Sequence, residues 1–215
     1  MKKNMSLLFY ELLNKERMEG FKKLKLFKKE GILAGGTALF LQMGHRFSFD
    51  FDIFLFREIK RSDLLQFKKL FTIKEVPVNT IDQLNIITSE NMRITLFHYL
   101  YKPLFEPVPT ISLPLFDLRD IALDKAFTIG RRPIWRDYVD LFFILKKDVL
   151  DLSEILKLGE KKFGVEFNPR LFLEQIVYFK DLQITKISFI KEEYSPEEIK
   201  NFLKSKVEEF KKLKI

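Results

Sequence analysis

The 215-residue sequence contains no cysteine and only two histidines. The first absence excludes a disulfide framework and a thiolate metal site. The second leaves no histidine pair at metal-ligand spacing; His45 and His98 stand alone and read as incidental. No Ser-His-Asp set, Walker loop or zinc spacing occurs. No stretch approaches the roughly 20 uncharged apolar residues of a membrane span. The opening "MKKNMSLLFYELLNKE" is basic, but its apolar patch is too short for a secretory signal and no small-residue cleavage site follows. A cytoplasmic protein is therefore expected. Internal repeats and low-complexity segments are also lacking.

What the chain has instead is hydrophobic bulk and positive charge. Hydrophobic residues make up 47% of it, including 24 phenylalanines, enough to bury a core. Its length suits one domain of ordinary size, or a compact domain with a helical extension. The formal net charge is +8. That balance suits a phosphate-bearing partner, either nucleic acid or nucleotide, and equally suits a plain Lys- and Phe-rich composition.

Residues 5–29 carry apolar positions at helical spacing, and Gly31 closes that segment. "ILAGG" (32–36) reads as a short buried strand entering a Gly-Gly turn, and 37–44 as a helix ending at Gly44. A strand is expected over 48–56, and a helix capped by Ser62 over 63–71. Three β-rich runs follow at 72–78, 83–88 and 92–100, with "TSEN" between the last two marking a hairpin. "ISLPLF" (111–116) reads as an edge strand, because Pro114 cannot donate to a ladder. Helices are then expected over 118–129 (N-cap Asp117), 135–147, 152–162, 169–180 and 196–212, the last two opened by Asn-Pro and Ser-Pro. The fold class is α+β: a mixed sheet flanked by helices over 1–116, then a helical part over 117–215 that completes the active-site cleft, with a soft boundary.

The chemistry concentrates in three places. In "FSFDFDIFLF" (47–56), strand alternation puts Phe47, Phe49, Phe51, Ile53 and Leu55 on one face and Ser48, Asp50 and Asp52 on the other. Two carboxylates so close repel unless a proton or a cation sits between them. Mg²⁺ suits such a pair, being hard and oxygen-seeking; a solvent-facing strand edge also accounts for it. Upstream, Gly35 and Gly36 allow close backbone approach, Thr37 adds a hydroxyl, and the helix start suits a phosphate. His45 and Arg46, just before the acids, could touch a phosphate. The third cluster lies in 120–145. Lys125 sits in an apolar helix, and Asp137 and Asp140 are three apart, off the stripe Tyr138, Leu141, Phe142 and Leu145. Arg131, Arg132 and Arg136 add positive charge. Ion pairs that merely tie helices together explain single residues of this cluster equally well.

Taken in order, "GGTALFLQMGHRFSFDFDIF" (35–54), Lys125 and "RDYVDL" (136–141) resemble the AbiEii/AbiGii family of nucleotidyltransferase-like toxins, which have the DNA polymerase β-type nucleotidyltransferase fold. The resemblance spans about 35–145. It implies that Gly35, Gly36 and Thr37 hold phosphates, that Asp50 and Asp52 bind Mg²⁺ or Mn²⁺, that Lys125 meets the triphosphate of an NTP, and that Asp137 or Asp140 completes the site. Arg46 and Arg136 join the phosphate-binding set. It also implies transfer of NMP to a hydroxyl, with an RNA or tRNA 3′ end as acceptor, and a separate antitoxin as partner. The family often carries a third carboxylate in the strand corresponding to "MRITLFHYL", where this chain has Thr95. Threonine cannot act as the base for the acceptor. Either Asp137 or Asp140 takes that role, or the acceptor is activated differently, or the protein binds nucleotide without transferring it. Transfer of the γ-phosphate is a further alternative.

Overall fold

The computed structural model describes residues 8–212. It divides after Asp117 into two units.

In the first unit the expected long N-terminal helix is interrupted. Residues 5–7 of that helix lie outside the described residues. A 3-10 turn, Tyr10–Leu12, gives way to extended Leu13. Asn14 then accepts the Arg17 N–H and starts α1 (Lys15–Lys23) afresh, and a second 3-10 turn follows at Leu24–Phe27. Phe21, Leu24 and Phe27 are buried along its inner side. The strands are β1 (Gly31–Ala34), β2 (Phe51–Leu55), β3 (Ile73–Asn79), β4 (Gln83–Thr88) and β5 (Arg93–His98); α2 (Gly35–Met43) lies between β1 and β2, and α3 (Arg61–Leu70) between β2 and β3. They form one five-stranded sheet in the order β1-β2-β5-β4-β3. β2 and β5 pair in parallel and the other neighbours are antiparallel, so the sheet is mixed.

Several boundaries differ from the sequence reading. Residues 111–116 form no strand. Pro114 offers a carbonyl but no N–H, and the segment meets β1 only where Leu33 N–H donates to the Pro114 carbonyl and Phe116 N–H to the Leu33 carbonyl. Ser62 falls inside α3. The start of the helix is capped instead by Asp63, whose carboxylate accepts the Lys60 N–H at 2.7 Å and two bonds from Arg57 at 2.8 and 2.9 Å. Burial by itself would raise the pKa of Asp63, but these bonds outweigh it and hold the carboxyl below its usual range. β2 begins only at Phe51, which leaves Asp50 in the approach to the strand.

The second unit is helical: α4 (Leu118–Ile129), α5 (Trp135–Lys146), α6 (Leu152–Phe163), α7 (Pro169–Gln175) and α8 (Pro196–Lys212). α5 packs against α4 and α8, and is buried well beyond a single stripe, from Tyr138 through Leu145. α7 is shorter than expected because the chain tightens after Gln175, with Tyr178 N–H donating to the Gln175 carbonyl. α8 starts where Ser195-Pro196 announced it, and Ser195 and Glu198 cap it reciprocally. None of the described helices is long and apolar enough to cross a membrane.

Candidate active site

In the first unit the site is assembled by β1, α2 and β2. Antiparallel pairing sets Ala34 opposite Asp52. The chain leaves β1 and turns directly into α2 through Gly35, whose φ is +65°. This is the left-handed region, which a side chain disfavours. A Cβ at Gly35 would stand 2.7 Å from the Asp52 Oδ2, closer than such atoms approach. At Gly36 a Cβ would lie 2.7 Å from the Ser48 Oγ and 3.0 Å from an Arg46 nitrogen. The two glycines therefore belong to the first turn of α2 rather than to a separate loop. Their missing side chains let one acid, one hydroxyl and one guanidinium gather at the helix start. That end carries free N–H groups and partial positive charge.

Thr37 is fully buried, and its hydroxyl donates to the Asp50 carbonyl at 2.5 Å. It is thus turned to the loop that carries Asp50. Arg46 is also buried, with one nitrogen donating to the Phe47 carbonyl at 3.1 Å. Residues 47–50 are not strand. Phe47 and Phe49 pack on Phe40 of α2, and Phe49 stays 38% exposed beneath the Arg17 guanidinium, 4.1 Å away. The expected alternation holds from Phe51 onward, where Phe51, Ile53 and Leu55 are fully buried. The opposite face is less polar than expected: Phe54 shares it with Asp52 and stacks on Tyr99. Asp50 and Asp52 themselves are half-buried.

Thr95 pairs directly with Asp52 across the parallel β2/β5 ladder. The position singled out for the missing carboxylate is therefore the immediate neighbour of the acid. Among the described residues no group of three or more His, Asp or Glu side chains converges as a metal site. Two carboxylates still fit a hard divalent cation, which keeps several waters and takes further oxygens from substrate phosphates. The Gly35 cradle around Asp52 fits it too.

In the second unit, α4 and α5 bring Lys125, Asp137 and Asp140 together. The Lys125 ammonium lies 2.5 Å from Asp137 and 2.6 Å from Asp140. Asp140 is fully buried, and Lys125 and Asp137 are each 8% exposed. Tyr138 donates to the Gln175 carbonyl; its burial, with the nearby Asp137 charge, pushes the phenol up to about 12. Arg136 is exposed, while Arg131 packs its guanidinium 3.5 Å over Phe127 and bonds the Glu166 carbonyl, a structural role.

A second cluster of this kind escaped the sequence reading. Lys162 of α6 is buried between Asp120 and Asp124 of α4, each 2.9 Å away. The i, i+4 acids on α4 were visible, but nothing local tied them to a lysine 38 residues downstream of the nearer one.

The comparisons with known proteins agree with this architecture. The family described as "Nucleotidyl transferase AbiEii toxin, Type IV TA system" matches residues 65–212. An uncharacterised protein of Aquifex aeolicus (strain VF5) is 34% identical over 209 residues, covering 92% of this chain and 97% of that protein. Among solved structures, the nucleotidyltransferase toxin MenT4 of Mycobacterium tuberculosis H37Rv superposes with a TM-score of 0.61 at 16% identity, covering 89% of this chain and 81% of that one. A candidate nucleotidyltransferase from H. pylori gives 0.56 at 17% identity, covering 94% and 99%. At these identities the two structures speak for the fold.

Proposed function

Starting from the membership of this chain in the AbiEii family of nucleotidyltransferase toxins, we propose that it transfers a nucleoside monophosphate from an NTP to an acceptor hydroxyl at an RNA 3′ end, tRNA being the first candidate. The observation that carries this reading is the contact of Gly35 with Asp52, which seats a carboxylate at the start of α2. Phosphate oxygens would take the N–H groups of that helix start, with Gly36 letting Ser48 and Arg46 come close to it. Thr37 acts at one remove, fixing the backbone of Asp50.

In the reaction the acceptor oxygen bonds to the α-phosphorus, the bond from that phosphorus to the bridging oxygen breaks, and pyrophosphate leaves. Asp50 and Asp52 are the residues that would hold Mg²⁺ or Mn²⁺, which when bound polarises the phosphate and offsets the leaving charge. Lys125 is assigned to the triphosphate and Asp137 or Asp140 to the acceptor proton. Asp137 is the better suited of the two acids, because Asp140 is fully buried. Arg46 and Arg136 supply further positive charge. The protein would act as a toxin restrained by a separate antitoxin protein.

The test is incubation of the full chain with α-labelled NTPs, divalent metal and a total tRNA pool. Label is expected to enter RNA and to be lost in Asp52→Ala. Folded protein that binds NTP yet labels no RNA with any NTP or metal would overturn transfer. Thr95 beside Asp52 supports a second reading, nucleotide binding without turnover. There, Asp52→Ala would lower NTP affinity and no product would form. Label that moves only from the γ position would indicate γ-phosphate transfer instead.

A further inference from the structure

The loop that carries Asp50 runs along α2. Ser48 meets the first turn of that helix: its Oγ lies 3.3 Å from the Thr37 hydroxyl and would stand 2.7 Å from a Cβ at Gly36. Phe47 and Phe49 meet the next turn at Phe40, with ring centroids 6.0 and 6.4 Å away. Gly36 and Phe40 are four residues apart on one face of the helix, about 6 Å along its axis. An aromatic surface therefore lies one helical turn from the place assigned to phosphates.

That surface is stacked and only partly covered. The Phe47 and Phe49 rings stack at 5.6 Å, and the Arg17 guanidinium of α1 lies 4.1 Å over Phe49. Phe49 is exposed all the same, and Phe47 and Arg17 are half-buried. A single exposed phenylalanine is ordinary on a protein surface. A stacked pair beneath an arginine is less so, because the ring face holds the planar guanidinium in place and fixes its fork of donors. No carboxylate takes that charge. Glu19 of α1 pairs with Lys22 instead, and among the described residues none forms an ion pair with Arg17. A planar cation fixed on an aromatic ring suits a nucleotide, with the base stacked on the plane and the phosphate on the donors. The NTP phosphates are assigned to the start of α2, so the phosphate for Arg17 belongs to a different nucleotide. The bases of a single-stranded 3′ end are unstacked and free to dock. We propose that the Phe47–Phe49–Arg17 stack holds the acceptor strand of the RNA, one base lying on the Phe49 and Arg17 surface and the adjoining phosphate on the guanidinium. The proposal rests on the reading of RNA as the acceptor.

Equilibrium binding of a total tRNA pool and, separately, of NTP to the full chain tests it, alongside the melting temperature. Phe49→Leu keeps an apolar cover on Phe40 and removes the ring. It is expected to weaken tRNA binding about tenfold and to leave NTP affinity unchanged. Arg17→Lys keeps the charge and loses the planar fork; weaker tRNA binding with an unchanged salt slope is expected. Arg17→Met should lower that slope by about 1. If all three variants bind tRNA as the wild type does, the stack is overturned and the RNA reading stands. If they lose NTP affinity while tRNA binding is unchanged, the stack serves the NTP and the acceptor-strand role is overturned. Wild-type protein that binds NTP but no tRNA removes the acceptor reading and this proposal with it. Should Phe49→Leu fail to fold, the two Arg17 variants decide by the same outcomes.

Discussion

Gly35 shows how much a single absent side chain can decide. Alanine there meets two costs. The left-handed backbone disfavours a Cβ by roughly 1–2 kcal/mol, and that Cβ would collide with the Asp52 carboxylate. Gly35→Ala is therefore expected to lower stability by about that amount or more and to remove nucleotide transfer, measured by thermal melting and by the α-label assay. Gly36→Ala, with an ordinary backbone, acts only through Ser48 and Arg46 and is expected to be milder. The sequence made both glycines candidates, but as a loose turn. It did not contain the fact that a Cβ at Gly35 would meet the acid first, and one at Gly36 Ser48 and Arg46. Thr37 illustrates the same limit: its hydroxyl suggested a ligand contact, and only packing revealed that it is spent on the Asp50 carbonyl.

At the scale of elements, charge fixes the ends and the packing of helices. The start of α3 depends on Asp63, bound by Arg57 and by the Lys60 N–H, with Glu30 also bridging to Arg57. Because the folded carboxyl of Asp63 is held below its unfolded value, the bridge stabilises the fold fully above that value, near pH 3.8, and the gain is lost as pH falls through the lower folded one. Melting temperatures measured from pH 6 down to pH 2 are expected to drop steeply below about pH 4. Asp63→Asn should be less stable at pH 6 and should show a flatter acid limb. α4 is tied to its neighbours by two buried lysines, its own Lys125 to α5 and Lys162 of α6 to Asp120 of α4. The sequence displayed the first, through the ordered motifs around it. It hid the second, because a lysine on α6 looks like any solvated charge until the helices pack. Helix starts were legible wherever a cap is local, as at Asn168 and Ser195. The true end of α7 and the late start of β2 were not, because tertiary packing rather than propensity sets them.

Across the whole molecule, the net charge of +8 bears on how a polyanion would be met. If the acceptor is RNA, its affinity is expected to fall linearly on a log–log plot against salt, because each neutralised phosphate releases counterion. Filter binding of tRNA between 50 and 200 mM salt would measure the slope. A flat line would mean that the lysines are a solvated surface only. The sequence by itself determined the α+β class, the helical second half, the candidate acids and the family. These rest on local periodicity, caps and the order of short motifs, all of which are written along the chain. Tertiary structure alone decided that Thr95 neighbours Asp52 and that Lys162 closes on two distant aspartates. Those juxtapositions come from strand order and helix packing, which join residues far apart in sequence and leave no local trace.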